Sequence, residues 1–319
     1  MLVTGAGGFI GSHLAGRLAR QGARVRAFLR YTSRGDTGAL GFEEGVEVET
    51  IAGDLRDPEA VARATAGVER IFHLGALIAV PYSYLAPREV VETNVLGTLN
   101  VLSAARGEGT ERVVCLSTSE VYGSSDHAPI AESQPPRAQS PYAASKVGAD
   151  MLALSFQRSY GVPVALARPF NVYGPRQSAR AIVPAIIGQA LSGGPIRLGS
   201  LHPVRDMTYV GDTVEGLLAI GAWDGAPGRV VQLGTGEGVK VSRLVELVGE
   251  ILGRELEVEH DPRRVRPESS EVDWLVCDPT VAMRELGWRA EVSLREGLEK
   301  TADWIKANPG WLAAGGYAV

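Results

Sequence analysis

Short apolar, β-rich runs alternate with helical stretches along the first two-thirds of the chain. Candidate strands fall at 2–4, 24–29, 46–51, 70–74, 112–118, 162–168 and 229–233. Between them, residues near 12–21, 58–66, 87–106 and 142–160 read as helices, the last closed by Gly161 as a C-cap. Alternation of this kind needs crossover connections, and therefore a parallel sheet covered on both faces. Runs such as VPVALARP are apolar without alternating, as strands buried on both sides are. The pattern predicts an α/β fold, a doubly wound parallel sheet of the Rossmann type.

After about residue 170 the rhythm changes. Pro/Gly-rich segments (PFNVYGPRQ, SGGPIRLGS, DPRRVRPESS) separate shorter elements. The expected division is a dinucleotide-binding domain over 1–170 with a returning segment at about 209–235. A smaller α/β substrate-binding domain is expected from 171–208 and 236–319. The terminal GGYAV is expected to fray.

Composition narrows the classes. Of the 319 residues, 45% are hydrophobic and 22% charged, ordinary for a globular chain. The net charge of −5 argues against nucleic acid or an anionic membrane as partner. No apolar run reaches the roughly 18 residues that span a bilayer. The N-terminus MLVTGAGGFIGSH lacks the basic patch and cleavage site of a secretory signal. With only Cys115 and Cys277, and no disulfide framework, a reducing cytoplasm is expected. Cys115, within VVCLS, reads as a small core residue. Only four basic residues are lysines (Lys146, Lys240, Lys300, Lys306). That skew reflects either phosphate recognition by arginine forks or a GC-rich genome.

The segment LVTGAGGFIGSHLAGRL sets Gly5, Gly8 and Gly11 between the first strand and the first helix. One glycine permits the tight turn, and another lets backbone approach a pyrophosphate. The third allows close helix–strand packing, with the helix N-terminus turned to the phosphates. The alternative is a tight turn without ligand, since 39 glycines make spaced ones common. Its place in the first βα unit favours NAD(P). An acid ending the second strand would hold the ribose hydroxyls of NAD, but Leu29 stands there. Arg30, aided by Thr32, Ser33 or Arg34, suits a 2′-phosphate and so favours NADP over NAD; otherwise it is a solvated strand end. Asp54, in GDL, either accepts from the adenine amino group or is a surface turn residue.

Two further segments sit where the carboxyl ends of strands should open a crevice. One is Ser117-Thr118-Ser119-Glu120-Val121-Tyr122-Gly123 after the fifth strand. The other is Tyr142-Ala143-Ala144-Ser145-Lys146 at a helix start, where positions i and i+4 share a face. An ammonium one turn from a phenol favours phenolate and lowers the tyrosine pKa, making a base for a hydroxyl proton during hydride transfer.

TGAGGFIGSH, Asp54 in GDL, FHLGA, TNVLGT, STSEVYG, YAASK and RPFNVYGPRQ, in this order along nearly the whole chain, resemble the extended short-chain dehydrogenase/reductase family. PYSY, SPYAASK, RPFNVYGPRQSARAIVP, LGSLHPVRD and RPESSEV are similar to sugar-nucleotide 4,6-dehydratases, most of all those acting on GDP-N-acetylglucosamine. The resemblance implies that Tyr142 removes the sugar 4-hydroxyl proton, Lys146 holds the nicotinamide ribose, and Thr118 bonds the 4-oxygen. It implies that Glu120 takes the C5 proton before water leaves C6, and that NAD(P) stays bound through turnover. Ser119 stands where glucose-type enzymes carry an Asp acid; mannose- and N-acetylglucosamine-type relatives also have Ser. The acid role then falls to Glu120 or water.

The resemblance further implies cofactor contacts from Phe9, Ile10, Leu55, Leu74, Ala76 and Asn94. Asn94, in an apolar stretch, is expected to brace backbone around the active-site helix. Substrate contacts are expected from Tyr82, Ser83, Asn171, Arg180, Arg205 and Arg266, with Arg205 and Arg266 forking onto the diphosphate; surface ion pairs are the alternative for the arginines. His73 reads as a backbone-bonded core residue, and no metal is expected. The resemblance implies a nucleotide-sugar substrate as partner and a homodimer through the helices near 87–106 and 142–160. An NDP-sugar 4-epimerase, an NDP-glucuronate decarboxylase and a non-catalytic dinucleotide sensor are the competing functions.

Overall fold

A computed structural model describes residues 1–313 other than 34, 44, 126–128 and 266, so the GGYAV tail lies outside the described residues. In chain order the strands are β1 (Leu2–Thr4), β2 (Arg26–Arg30), β3 (Glu49–Gly53), β4 (Arg70–His73), β5 (Arg112–Leu116), β6 (Val164–Pro169) and β7 (Asn171–Tyr173). They continue with β8 (Ile196–Leu198), β9 (Val204–Tyr209), β10 (Val230–Leu233), β11 (Gly238–Lys240), β12 (Val258–His260) and β13 (Trp274–Leu275). The first helices are α1 (Phe9–Arg20), α2 (Pro58–Thr65), α3 (Val80–Leu85), α4 (Pro87–Val91), α5 (Gly97–Glu108) and α6 (Pro141–Tyr160). Then come α7 (Ile182–Ser192), α8 (Val210–Ala222), α9 (Val241–Leu252), α10 (Thr280–Leu286) and α11 (Leu294–Ala307).

Seven strands form one parallel sheet in the order β10-β6-β5-β4-β1-β2-β3. This is the doubly wound order with an extra strand at one edge, and its direction reverses between β1 and β4. Alternate residues supply the two faces. Val3, Phe72 and Val114 join α1 and α8 on one side; Leu2, Ile71 and Val113 join α2, α5 and α6 on the other. The returning strand expected at 229–233 is β10, paired in parallel with β6. Ala282 and Trp288, near the C-terminus, pack in the same core as Leu217 and Leu233.

Beyond β6 the chain builds two small sheets. β11, β7 and β13 each pair with β9, and β12 pairs with β8. Their core gathers Ile186, Leu198, Leu244, Val248 and Leu298.

Local chemistry explains most boundaries. The Asp57 side chain accepts from Glu59 N and Ala60 N to start α2. Ser140 caps α6 through Ala143 N, Pro141 opens its first turn, and Gly161 closes it at φ 71°. The second and third strands lie further along than their apolar runs suggest, because pairing sets Arg26 opposite Leu2 and Glu49 opposite Arg26. The helix expected at 12–21 begins at Phe9. The single helix expected near 87–106 is broken into α4, a π turn (Glu92–Leu96) and α5. The π turn carries Asn94, and such bulges commonly sit at functional sites.

Candidate active site

The first βα turn closes on itself. Gly5 adopts φ 69°, and a Cβ there would stand 2.8 Å from Gly75 Cα. A Cβ on Gly11 would lie 2.2 Å from the Gly5 carbonyl oxygen, so any side chain would push α1 off the strand. Gly8 caps α1 without a side chain, and its first turn holds no acid. The helix therefore offers unsatisfied N–H groups and positive potential to an anion.

A cavity of about 410 Å³ opens at this turn. Gly5, Gly8, Phe9, Ile10 and Gly11 form its floor. Arg30, Asp54, Leu55, Leu74 and Ala76 complete the wall, so these predicted cofactor positions are brought together. Arg56, Thr37 and Gly38 also line it and were not expected. Ala39 N donates to the Gly7 carbonyl at 2.9 Å, drawing that loop over the glycines, and nothing periodic in GDTGAL announces this.

Arg30 is exposed, with its guanidinium 4.0 Å from the Glu89 carboxylate. Asp54 is clasped by Arg56 at 2.6–3.1 Å, and that hydrogen bonding holds its carboxyl below the usual range. Asn94 is buried and spends its amide on the Leu77 backbone, accepting at 2.8 Å and donating at 3.0 Å, and on the Ser145 hydroxyl at 2.9 Å. His73 is a core residue held by hydroxyls rather than backbone, with Thr4 on Nδ1 and Thr98 on Nε2. Arg34 lies outside the described residues.

At the neighbouring strand end, Thr118 is extended and caps a 3₁₀ turn (Ser119–Tyr122) by accepting from Glu120 N. The Tyr142 phenol lies beside the Thr118 side chain, and the Glu120 carboxylate is close enough to act on the same phenol. Lys146 is buried, its ammonium donating to the Leu116 carbonyl at 2.6 Å. Ser119 is buried at the start of the turn. The chain thus brings Thr118, Glu120, Tyr142 and Lys146 to one place.

One electrostatic expectation is corrected. Burial pushes the Tyr142 phenol up, the neighbouring Thr118 hydroxyl opposes this, and the charges of Glu120 and Asp150 add to the rise. Burial likewise pushes Lys146 down, and its ammonium is aimed at Leu116 rather than at the phenol.

The expected substrate residues are less uniform. Tyr82 donates to Glu89 at the rim. Ser83 is fully buried and donates to Val80 O at 2.6 Å, inside its own helix. Asn171 Oδ1 is buried without a hydrogen-bond partner among the described residues, an acceptor ready for a ligand donor. Arg205 is buried with Glu271 at 3.6 Å, and Arg180 is exposed in the turn before α7. Arg266 lies outside the described residues.

The GDP-mannose 4,6 dehydratase family model matches residues 2–301. A dTDP-glucose 4,6-dehydratase of Streptomyces antibioticus is 36% identical over 98% of this chain and 93% of its own. DesIV, the dTDP-glucose 4,6-dehydratase of Streptomyces venezuelae solved with NAD bound, superposes with a TM-score of 0.87 at 33% identity, covering 97% of this chain and 98% of that one. The UDP-glucose 4-epimerase of Thermus thermophilus in complex with NAD gives a TM-score of 0.85 at 32% identity, covering 96% and 99%.

Proposed function

The chain belongs to the GDP-mannose 4,6 dehydratase family of extended short-chain dehydrogenases/reductases, and we propose that it is an NDP-sugar 4,6-dehydratase. The observation that carries this reading is the convergence of Thr118 and Glu120, just beyond β5, on the buried Tyr142 phenol, with Lys146 one turn further along α6. A hydroxyl base and a separate carboxylate then face one substrate carbon chain.

The glycine turn, the uncapped α1 N-terminus and the cavity above them suit a dinucleotide pyrophosphate. Bound nicotinamide supplies a hydride acceptor for sugar C4 and a donor for C6 within one turnover, so it stays bound. Thr118 orients the sugar 4-oxygen and Tyr142 removes its hydroxyl proton. Lys146 would hold the nicotinamide ribose. The resulting 4-ketone acidifies C5, whose proton passes to Glu120. The C5 electron pair forms the C5–C6 double bond as hydroxide leaves C6. Ser119 is no acid, so Glu120 or water gives the departing group its proton.

Finer assignments follow from particular residues. Arg30 supports NADP over NAD, because the 2′-phosphate would outcompete the half-buried Glu89 carboxylate for the exposed guanidinium. Ser119 supports a mannose- or N-acetylglucosamine-type substrate, and we assign an NDP-N-acetylhexosamine. Residues 1–170 and 209–235 would hold the cofactor, with 171–208 and 236–319 holding the nucleotide sugar. Val91, Leu96 and Met151 expose apolar surface on the helices near 87–106 and 142–160, which supports a homodimer there. No helix among the described residues is long and apolar enough to cross a membrane. Two buried unpaired cysteines support a reducing, cytoplasmic setting.

The test is to incubate the purified protein with a panel of NDP-hexoses in deuterated water and weigh the products. Loss of one water with deuterium at C5 is expected. A product isomeric with substrate and without C5 deuterium would replace this reading with a 4-epimerase, and loss of carbon dioxide with a decarboxylase.

A further inference from the structure

Three consecutive residues at the end of β5 are gripped by three successive turns of one face of α6. Thr118 lies beside the Tyr142 phenol, Leu116 O accepts from Lys146 at 2.6 Å, and Ser117 Oγ donates to Asp150 Oδ2 at 2.7 Å. Positions 142, 146 and 150 are four apart, so they project together. We propose that Asp150 is a positioning residue of the active site, the anchor from which the segment bearing Thr118 and Glu120 is hung.

The anchoring acts at both ends of that segment. Asp150 also accepts from Arg168 of β6, at 2.8 Å from Nη2 and 3.2 Å from Nε, and both side chains are nearly fully buried. Arg168 Nη1 donates to the Tyr122 hydroxyl at 2.8 Å, at the rear of the turn that carries Glu120. Tyr122 in turn donates to the Gln232 carboxamide of β10 at 2.7 Å. Ser117 in front and Tyr122 behind are therefore both referred to one buried carboxylate, with Thr118 and Glu120 between them. A buried ion pair is a poor source of net stability, since apolar residues of like volume often do as well. Fixing one geometry is the better account of this one.

The charge of Asp150 also faces the site, raising the pKa of Lys146 and Tyr142. The other groups facing these two are Cys115 of β5, His73 of β4, Thr118 and Glu120. Arg168 additionally faces Tyr122 and Glu132.

The inference rests on the reading that Tyr142 and Lys146 carry the oxidation at C4, but its test does not need the product. Asp150→Asn keeps size and hydrogen-bonding capacity and removes the charge. Ser117→Ala keeps the charge and removes the front anchor. With four lysines in the chain, their side-chain ¹⁵N signals can be titrated individually. In Asp150→Asn, Lys146 should titrate about one pH unit lower than in the wild type, and the pH profile of turnover should move the same way. Ser117→Ala should leave the Lys146 titration in place and lower kcat about tenfold with unchanged cofactor affinity, roughly the loss of one well-made hydrogen bond. An unmoved Lys146 titration in a folded Asp150→Asn overturns the proposal. If that variant does not fold, undiminished kcat in Ser117→Ala overturns it instead. A wild type inactive on every NDP-hexose sinks the functional reading, while the lysine titration still decides this one.

Discussion

Thr4 at the end of β1 and His73 at the end of β4 share a hydrogen bond of 2.8 Å across the point where the sheet changes direction. The Thr4 oxygen accepts from Leu74 N and Gly75 N at 3.1 and 3.0 Å, so its proton goes to His73 Nδ1. Thr98 gives its own proton to Asn94 O at 2.6 Å, so its oxygen accepts from His73 Nε2. The imidazole is thereby neutral and protonated on Nε2. Two strand ends, the π turn and the wall of the cofactor cavity are tied through one ring.

Burial, reinforced by Lys146, lowers the His73 pKa to about 3. The unfolded chain takes up this proton near pH 6.5 and the folded chain does not, so stability falls as pH drops from 6.5 toward 3. The slope should be about 1.4 kcal/mol per pH unit for this proton. Urea unfolding of the wild type and His73→Gln across that window measures it; equal slopes would show that His73 titrates normally.

Tyr142→Phe removes the hydroxyl proposed to take the 4-hydroxyl proton and leaves the glycine turn intact. Turnover should fall roughly 100- to 10,000-fold, the range for one general base. NADP binding by calorimetry should be unchanged. Retained turnover would remove Tyr142 from the mechanism.

Glu120→Gln keeps shape and loses basicity. Water loss and C5 deuterium incorporation should both drop roughly 100- to 10,000-fold, while oxidation at C4 persists. Mass spectrometry of the sugar in deuterated water separates the two steps. Deuterium entering C5 at the wild-type rate would assign that proton to another group.

Arg30→Ala should weaken NADP about 10- to 100-fold, the worth of a charge-assisted hydrogen bond, and leave NAD affinity unchanged. Paired calorimetric titrations decide this. Equal losses for both dinucleotides would mean that Arg30 reads no 2′-phosphate.

Local spacing alone encodes part of this protein. Gly5, Gly8 and Gly11 mark the turn, at whose Gly5 and Gly11 a side chain would strike backbone, and Tyr142 with Lys146 falls one helical turn apart whatever surrounds them. The unalternating apolar strands announce a sheet buried on both faces. The remainder emerges only on folding, because it depends on which distant residues meet. The contacts from Asp150 to Ser117, from Arg30 to Glu89 and from Arg205 to Glu271 join segments that no short window relates. The same holds for the direction of the Tyr142 pKa. The i+4 ammonium is visible in the chain's spacing, but its engagement with the Leu116 carbonyl and the burial that raises the phenol arise only when α6 packs against the end of β5.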